Sequence, residues 1–206
     1  MQSWVAGAES PFDLQPLASD QLRDVVRAAW GMTDRDLLAL CCTRMARELD
    51  VRLAPPPEER EPETPLERAA VAYTEFFLLD PNAVHGEPDE ELRRYLDLPD
   101  LVNFVAALNG LEGYLRACAL LEVEADVFAL APPPGTAARP APTAPGPEPP
   151  QDDGVARRNY RLLLTDQLYR DVRAEFQRTA VCLSSVDEVT TEAARLRNAW
   201  FQDCHY

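Results

Sequence analysis

The chain has 206 residues, enough for one large domain or two small ones, and its apolar fraction of 46% is ordinary for a folded protein. Its formal net charge of −15 argues against nucleic-acid and anionic-membrane partners, because both bind basic surfaces. No apolar run reaches the ~20 residues that span a bilayer, and the N-terminus lacks a secretory pattern, so we expect a cytoplasmic protein. The chain has 5 cysteines at irregular spacing. This odd number and irregular spacing do not indicate a disulfide framework.

Helical periodicity dominates the first part of the chain, and no segment convincingly resembles a strand. The sequence therefore predicts an all-α fold. The predicted helices cover residues 20–30, 33–51, 65–79, 89–96 and 100–122.

Two of these helices carry start signals. Thr33 and Asp36 have the spacing of a capping box, and Thr64 is followed by proline at the first helical position and by Glu67 at the third. In the longest helix, Gly110 and Gly113 each weaken the helix by roughly 1 kcal/mol relative to alanine. Both glycines therefore indicate positions where another helix packs closely.

A proline-rich segment divides the chain. Residues 132–150 cannot hold a regular helix or a central strand, because proline fixes φ and lacks the backbone donor. We expect an extended tether there, the alternative being a long ordered loop. The predicted organisation is a tail at 1–18, a helical domain at 19–131, a linker at 132–158 and a second helical segment at 159–206.

The two helical parts resemble each other. Residues 20–30 align with 166–176 through a shared Asp-Gln-Leu start, a Val-Arg-Ala core and a closing aromatic. Residues 39–51 align more weakly with 192–204. These patterns indicate an internal repeat with a partial second copy, the alternative being chance similarity between amphipathic helices. Within such a repeat, the first copy has alanine and valine where the second has Glu192 and Cys204.

The final helical pattern resembles a known active-site helix. Glu192, then Arg195-Leu196-Arg197, then Cys204 is similar to the motif of the carboxymuconolactone decarboxylase and alkylhydroperoxidase D-like family, which continues with a second cysteine and a histidine. The order of segments in 65–123 resembles the latter half of the same fold.

The resemblance implies an alkylhydroperoxidase D-like helical bundle that forms homo-oligomers, takes a peroxide or small organic substrate and uses a thiol electron donor. It implies that Glu192 transfers protons and that Cys204 is the first cysteine of a C-x-x-C pair. No metal and no cofactor are expected. The chain ends at Tyr206, before the second cysteine, so these residues alone are not expected to complete a disulfide cycle.

Other interpretations of the same residues stay open. Cys204 at a helix C-terminus beside Asp203 is a poor thiolate site and is also consistent with an inert residue. Cys204 with His205 falls short of a zinc ligand set. Cys41 and Cys42 are expected to be small buried hydrophobic residues, with Cys41 in the core and Cys42 at its flank.

The sequence therefore predicts an alkylhydroperoxidase-like, peroxide-reducing thiol redox protein, and these residues by themselves, without the second cysteine, are expected to be inactive. The alternative is a non-catalytic helical module that oligomerises or binds a ligand. In either case the amphipathic helices of 159–206 must bury their apolar faces, so this segment is expected to dock on the first domain or to drive association.

Overall fold

A computed structural model of the chain describes residues 16–57, 60–79, 87–131, 166–181 and 189. Throughout these residues the architecture is all-α, as the periodicity predicts. In chain order the helices are α1 (Pro16–Ala29), α2 (Arg35–Glu48), α3 (Pro65–Leu79), α4 (Glu87–Leu92), α5 (Leu98–Leu121) and α6 (Gln167–Val181).

Helix α3 begins with the capping box that its sequence predicts. The Glu67 carboxylate accepts hydrogen bonds from the backbone N–H groups of Glu63 and Thr64, at 2.8 and 2.9 Å. In return the Thr64 hydroxyl accepts from Glu67 N at 3.1 Å. This exchange satisfies donors that the first turn of a helix leaves without intrahelical partners.

The predicted capping box of α2 is wrong by one residue. Asp34 is the N-cap, and its carboxylate accepts from the backbone N–H of Leu37 at 2.8 Å. Aspartate caps as well as threonine does, and Thr33 is instead buried. The boundary moves because the sequence offers two adjacent capping residues, and the burial of Thr33 decides between them.

Helix α5 forms the centre of the fold. Asp97 caps its N-terminus through the backbone N–H of Asp100, at 2.9 Å, and Glu122 ends it in the left-handed conformation with φ of 57°. Half of its 24 residues are buried, and α1 and α2 pack against it, while α3 packs on α2 and α4 on α3. By length and composition alone α5 could cross a membrane, but here its apolar side chains form the core of the bundle.

The chain segments that follow α2 and α5 are joined beside the bundle. Leu53 and Ala125 form an isolated parallel bridge, in which Ala54 N donates to Ala125 O at 2.9 Å and Ala125 N donates to Arg52 O at 2.8 Å. The indole N–H of fully buried Trp30 donates to Val127 O at 3.1 Å. The bridge holds the C-terminal ends of α2 and α5 close together. The Trp30 bond fastens the end of α1 to the segment after α5.

Helix α6 docks onto the first domain. Docking is one of the two outcomes predicted for residues 159–206. It packs along α1. Tyr169, at 0% exposure, belongs to the same hydrophobic core cluster as the side chains of α1 and α5, and its hydroxyl donates to the Ala106 carbonyl at 2.6 Å. Asp166 caps the helix by accepting from Tyr169 N at 2.7 Å. A residue from beyond the proline-rich segment therefore completes the core.

The two glycines of α5 have different surroundings. A Cβ added at Gly110 would lie 3.2 Å from the Tyr169 hydroxyl and 3.4 Å from atoms of both Val25 and Ala29, so the predicted close helix packing is confirmed there. At Gly113 a Cβ would meet nothing within 4 Å, so the same prediction is wrong. Only Gly110 lies where α1, α5 and α6 meet.

The two segments aligned as a repeat, within α1 and α6, have different buried faces. Val25 of α1 is buried, whereas the aligned Asp171 of α6 is exposed. Conversely, Tyr169 is buried, whereas the aligned Arg23 is only partly so. The division into a degenerate and a partial copy stays a prediction, and the two aligned helices do not play equivalent packing roles.

Candidate functional site

The two residues predicted to carry the chemistry, Glu192 and Cys204, lie outside the described residues, as do His85 and His205. Their roles therefore stay predictions. What the structure establishes is the state of the other chemically capable groups: three cysteines, a buried tyrosine and a cavity between two helices.

Cys41 and Cys42 are both fully buried within the core face of α2. Burial raises the pKa of the Cys41 thiol to about 12, although a hydrogen bond with Thr74 opposes the shift. Burial, with a smaller contribution from Cys41, raises the pKa of Cys42 as well. The predicted flanking position of Cys42 is wrong, because α2 is covered on that side too. Both residues act as small hydrophobic side chains, as expected.

Cys118 lies on α5 one turn after Tyr114, and the two side chains form a small polar cluster with Asp126. The Tyr114 hydroxyl donates to the Asp126 carboxylate. Burial raises the pKa of Cys118 to about 11, and a hydrogen bond between Cys118 and Tyr114 only partly offsets that shift. Burial, followed by the bond to Asp126, raises the pKa of Tyr114. The cluster fastens the segment after α5 to the helix, and burial keeps the thiol protonated at neutral pH.

No described cysteine is therefore ready to act as a nucleophile. A thiol reacts as the thiolate, and reactive cysteines lie in partly exposed, electropositive surroundings. Cys41, Cys42 and Cys118 are all buried, with pKa values above the ordinary range.

A cavity of about 660 Å³ lies between α2, α3 and the described parts of the proline-rich segment between them, residues 51–57 and 60–62. This volume lies within the range of small-molecule sites. Apolar side chains from all three elements form its walls. They are Leu40, Ala46, Val51, Leu53, Pro56, Pro57, Pro62 and Val71.

Three arginines line this cavity, and they differ in their partners. Arg44 forms ion pairs with Glu75 at 2.5 Å and Glu48 at 3.4 Å. Arg60 pairs with Glu67 at 2.7 Å, and that hydrogen bond, with those from the helix start, lowers the pKa of Glu67 to about 2. Exposed Arg47 has no ion-pair or hydrogen-bond partner for its guanidinium group among the described side chains.

Sequence reasoning missed this cavity. The spacing of Arg44 and Arg47 does place both on one face of α2. No sequence signal indicated that the segment after α2 folds back so that Arg60 and Glu61 line the same cavity. Glu75 of α3 is also one of its lining residues.

Comparison of the chain with models of known protein families, with curated proteins and with solved structures found no match.

Proposed function

We propose that the chain is an alkylhydroperoxidase-like thiol redox protein in which the described helices form a non-catalytic scaffold and Glu192 and Cys204 carry the chemistry. The burial of Cys41, Cys42 and Cys118 supports this assignment most directly, because it leaves only Cys182 and Cys204 as candidates for a reactive thiol. The resemblance of residues 192–204 to the family motif favours Cys204 over Cys182. The docking of α6 supports the scaffold role, since α6 precedes this helix in the chain.

The proposed step is the reduction of a peroxide by the Cys204 thiolate. Glu192 accepts the thiol proton, the sulfur attacks one peroxide oxygen, an S–O bond forms and the O–O bond breaks. The sulfur is oxidised to a sulfenic acid, and the peroxide is reduced to an alcohol or water after its leaving oxygen takes up a proton. A second thiol, from an external donor, then forms a disulfide with that sulfur and releases water.

Trapping of the sulfenic acid tests this assignment. The full chain is treated with hydrogen peroxide and dimedone, and adducts are located by mass spectrometry. We expect an adduct on Cys204, its loss in Cys204→Ser, and slower formation in Glu192→Gln. Cys182→Ser is the matched control and should leave the Cys204 adduct unchanged. An adduct confined to Cys182, or none at any cysteine, would contradict the proposal.

A non-catalytic assembly role is the second candidate, favoured by one apolar surface. Phe76 and Leu79 lie one turn apart on α3 and are 47% and 84% exposed, and Leu120 of α5 is 68% exposed. Arg116, one turn before Leu120, donates to the Leu78 carbonyl at 3.2 Å, which brings the two helices together at this surface. Exposed apolar surfaces of this kind often mark interfaces.

Light scattering of the full chain after size exclusion distinguishes this role. If the surface mediates assembly, Leu79→Glu should convert an oligomer into a monomer, whereas Leu17→Glu, at an exposed leucine of α1, should not. A wild-type chain that is monomeric at high concentration would exclude the assembly role while leaving the redox proposal intact.

A further inference from the structure

The cavity between α2 and α3 has the features of a binding site. It is formed by Leu40 to Val51 of the α2 region, by Val71 and Glu75 of α3, and by the segment between those helices. None of the three described cysteines is among its lining residues. Its charges and its apolar walls together indicate what kind of molecule it would hold.

Most charges at this cavity are already neutralised within the protein. Arg44 is held by Glu75, and Arg60 is held by Glu67. Two lining charges have no partner among the described side chains, namely the guanidinium of Arg47 and the carboxylate of Glu61. Guanidinium groups bind carboxylates through paired N–H donors, so Arg47 is the group best suited to fix an anionic ligand.

The walls favour a ligand with an apolar body. Leu40 and Val51 are almost fully buried, so each adds only a small apolar surface to the floor of the cavity. Leu53 and Val71 are partly exposed and line the same space. Ligand sites typically combine such apolar walls with a few polar groups that fix orientation.

We propose that this cavity binds a small organic carboxylate, with its apolar chain along Leu40, Leu53 and Val71 and its carboxylate on Arg47. The net charge of −15 repels anions at long range, so binding depends on these close contacts rather than on steering. Glu61 opposes the same ligand, because its carboxylate adds a like charge at the cavity. The two residues are therefore expected to act in opposite directions.

Titration of the full chain with sodium hexanoate, followed by amide NMR, tests the proposal. Hexanoate should cause saturable shifts in α2 and α3. Hexan-1-ol, which has the same body without the charge, and acetate, which has the charge without the body, should both bind more weakly. Loss of a charge-assisted hydrogen bond predicts that Arg47→Gln weakens hexanoate binding about tenfold or more. Glu61→Gln should strengthen it.

Arg35→Gln is the matched control for the arginine change. Arg35 lies at the other end of α2, outside the cavity, and also has no ion-pair partner among the described residues. Its replacement removes the same charge and should change hexanoate affinity less than about twofold. Arg47→Lys, which keeps the charge but not the paired donors, should bind with intermediate affinity.

Three results would overturn the proposal. They are the absence of saturable shifts in α2 and α3, equal affinity for hexan-1-ol and hexanoate, and equal losses in Arg47→Gln and Arg35→Gln. None of these results bears on Cys204, so this proposal and the redox proposal fail independently.

Discussion

Replacement of Tyr169 by phenylalanine tests how α6 is held on the first domain. The change removes one hydroxyl, whose hydrogen bond to the Ala106 carbonyl measures 2.6 Å in a fully buried position. It retains the aromatic ring and its packing. The perturbation therefore removes one contact between α6 and α5, together with the interaction of the hydroxyl with Arg173 of α6 itself.

The expected loss of docking free energy depends on whether the Ala106 carbonyl keeps another hydrogen-bond donor. Ala106 lies inside α5, where its oxygen also faces the backbone N–H of Gly110 in the helical pattern, so it is not left without a donor. The cost should match the net value of a neutral hydrogen bond, about 0.5–1.5 kcal/mol. At 1.4 kcal/mol per tenfold, the undocked population of α6 rises about 2- to 12-fold.

Hydrogen exchange followed by mass spectrometry measures this population. A helix of 15 residues is marginal by itself in water, so undocking of α6 should expose its amides to exchange. We expect peptides from α6 to exchange about 2- to 12-fold faster in Tyr169→Phe, with α5 unchanged. Leu168→Ala is the neighbouring control, because Leu168 is 64% exposed and should have little effect.

Two outcomes would refute the reasoning. If α6 exchanged at the wild-type rate in Tyr169→Phe, the hydroxyl would not help to hold the helix. If α5 and α6 lost protection equally, α6 would unfold only together with the whole domain. Either result would require another account of the docking.

The remaining predictions concern the same helix junction, the cap of α3 and the buried thiols. Gly110→Ala should lower the free energy of unfolding more in the wild type than in Tyr169→Phe, because the new methyl group would lie 3.2 Å from the Tyr169 hydroxyl. Additive changes in the free energy of unfolding would disprove this coupling. The pKa of Glu67 is lowered to about 2 from 4.5, so its stabilisation is present above pH 4.5 and is lost as the pH falls toward 2. Glu67→Gln should flatten the fall in Tm across that range, and an unchanged slope would count against this assignment. With a pKa of about 11, Cys118 is about 0.1% thiolate at pH 8, so iodoacetamide should label it only in urea; rapid native labelling would show that the site is open.

Local sequence rules predicted most of the helices. The predicted start of α3 at Thr64 is confirmed, since it depends on side chains within a few residues of the backbone groups they satisfy. The cap of α2 was misplaced because Thr33 and Asp34 are both suitable by type. Gly110 and Gly113 are identical as sequence signals, and only the positions of α1 and α6 distinguish them.

The candidate sites also combine features that the sequence predicts with features that only the folded chain determines. Burial of Cys41 could be predicted from its helical face, but full burial of Cys42 depends on neighbouring helices that cover the other side of α2. The α2–α3 cavity could not be predicted, because its lining residues come from three separate segments. Arg44 pairs with Glu75, whereas Arg47 has no partner among the described side chains, and such pairing is a property of the folded chain.

By itself, the sequence determined the all-α class, the existence of most helices and the segment whose apolar face had to be buried. These features depend on periodicity and capping, which act over a few residues. The tertiary structure decided that α6 completes the core through Tyr169, that three thiols are buried within the protein, and that Arg47, which has no partner among the described side chains, lines a cavity. Those outcomes depend on which distant segments come into contact, and local patterns in a single sequence do not encode that choice.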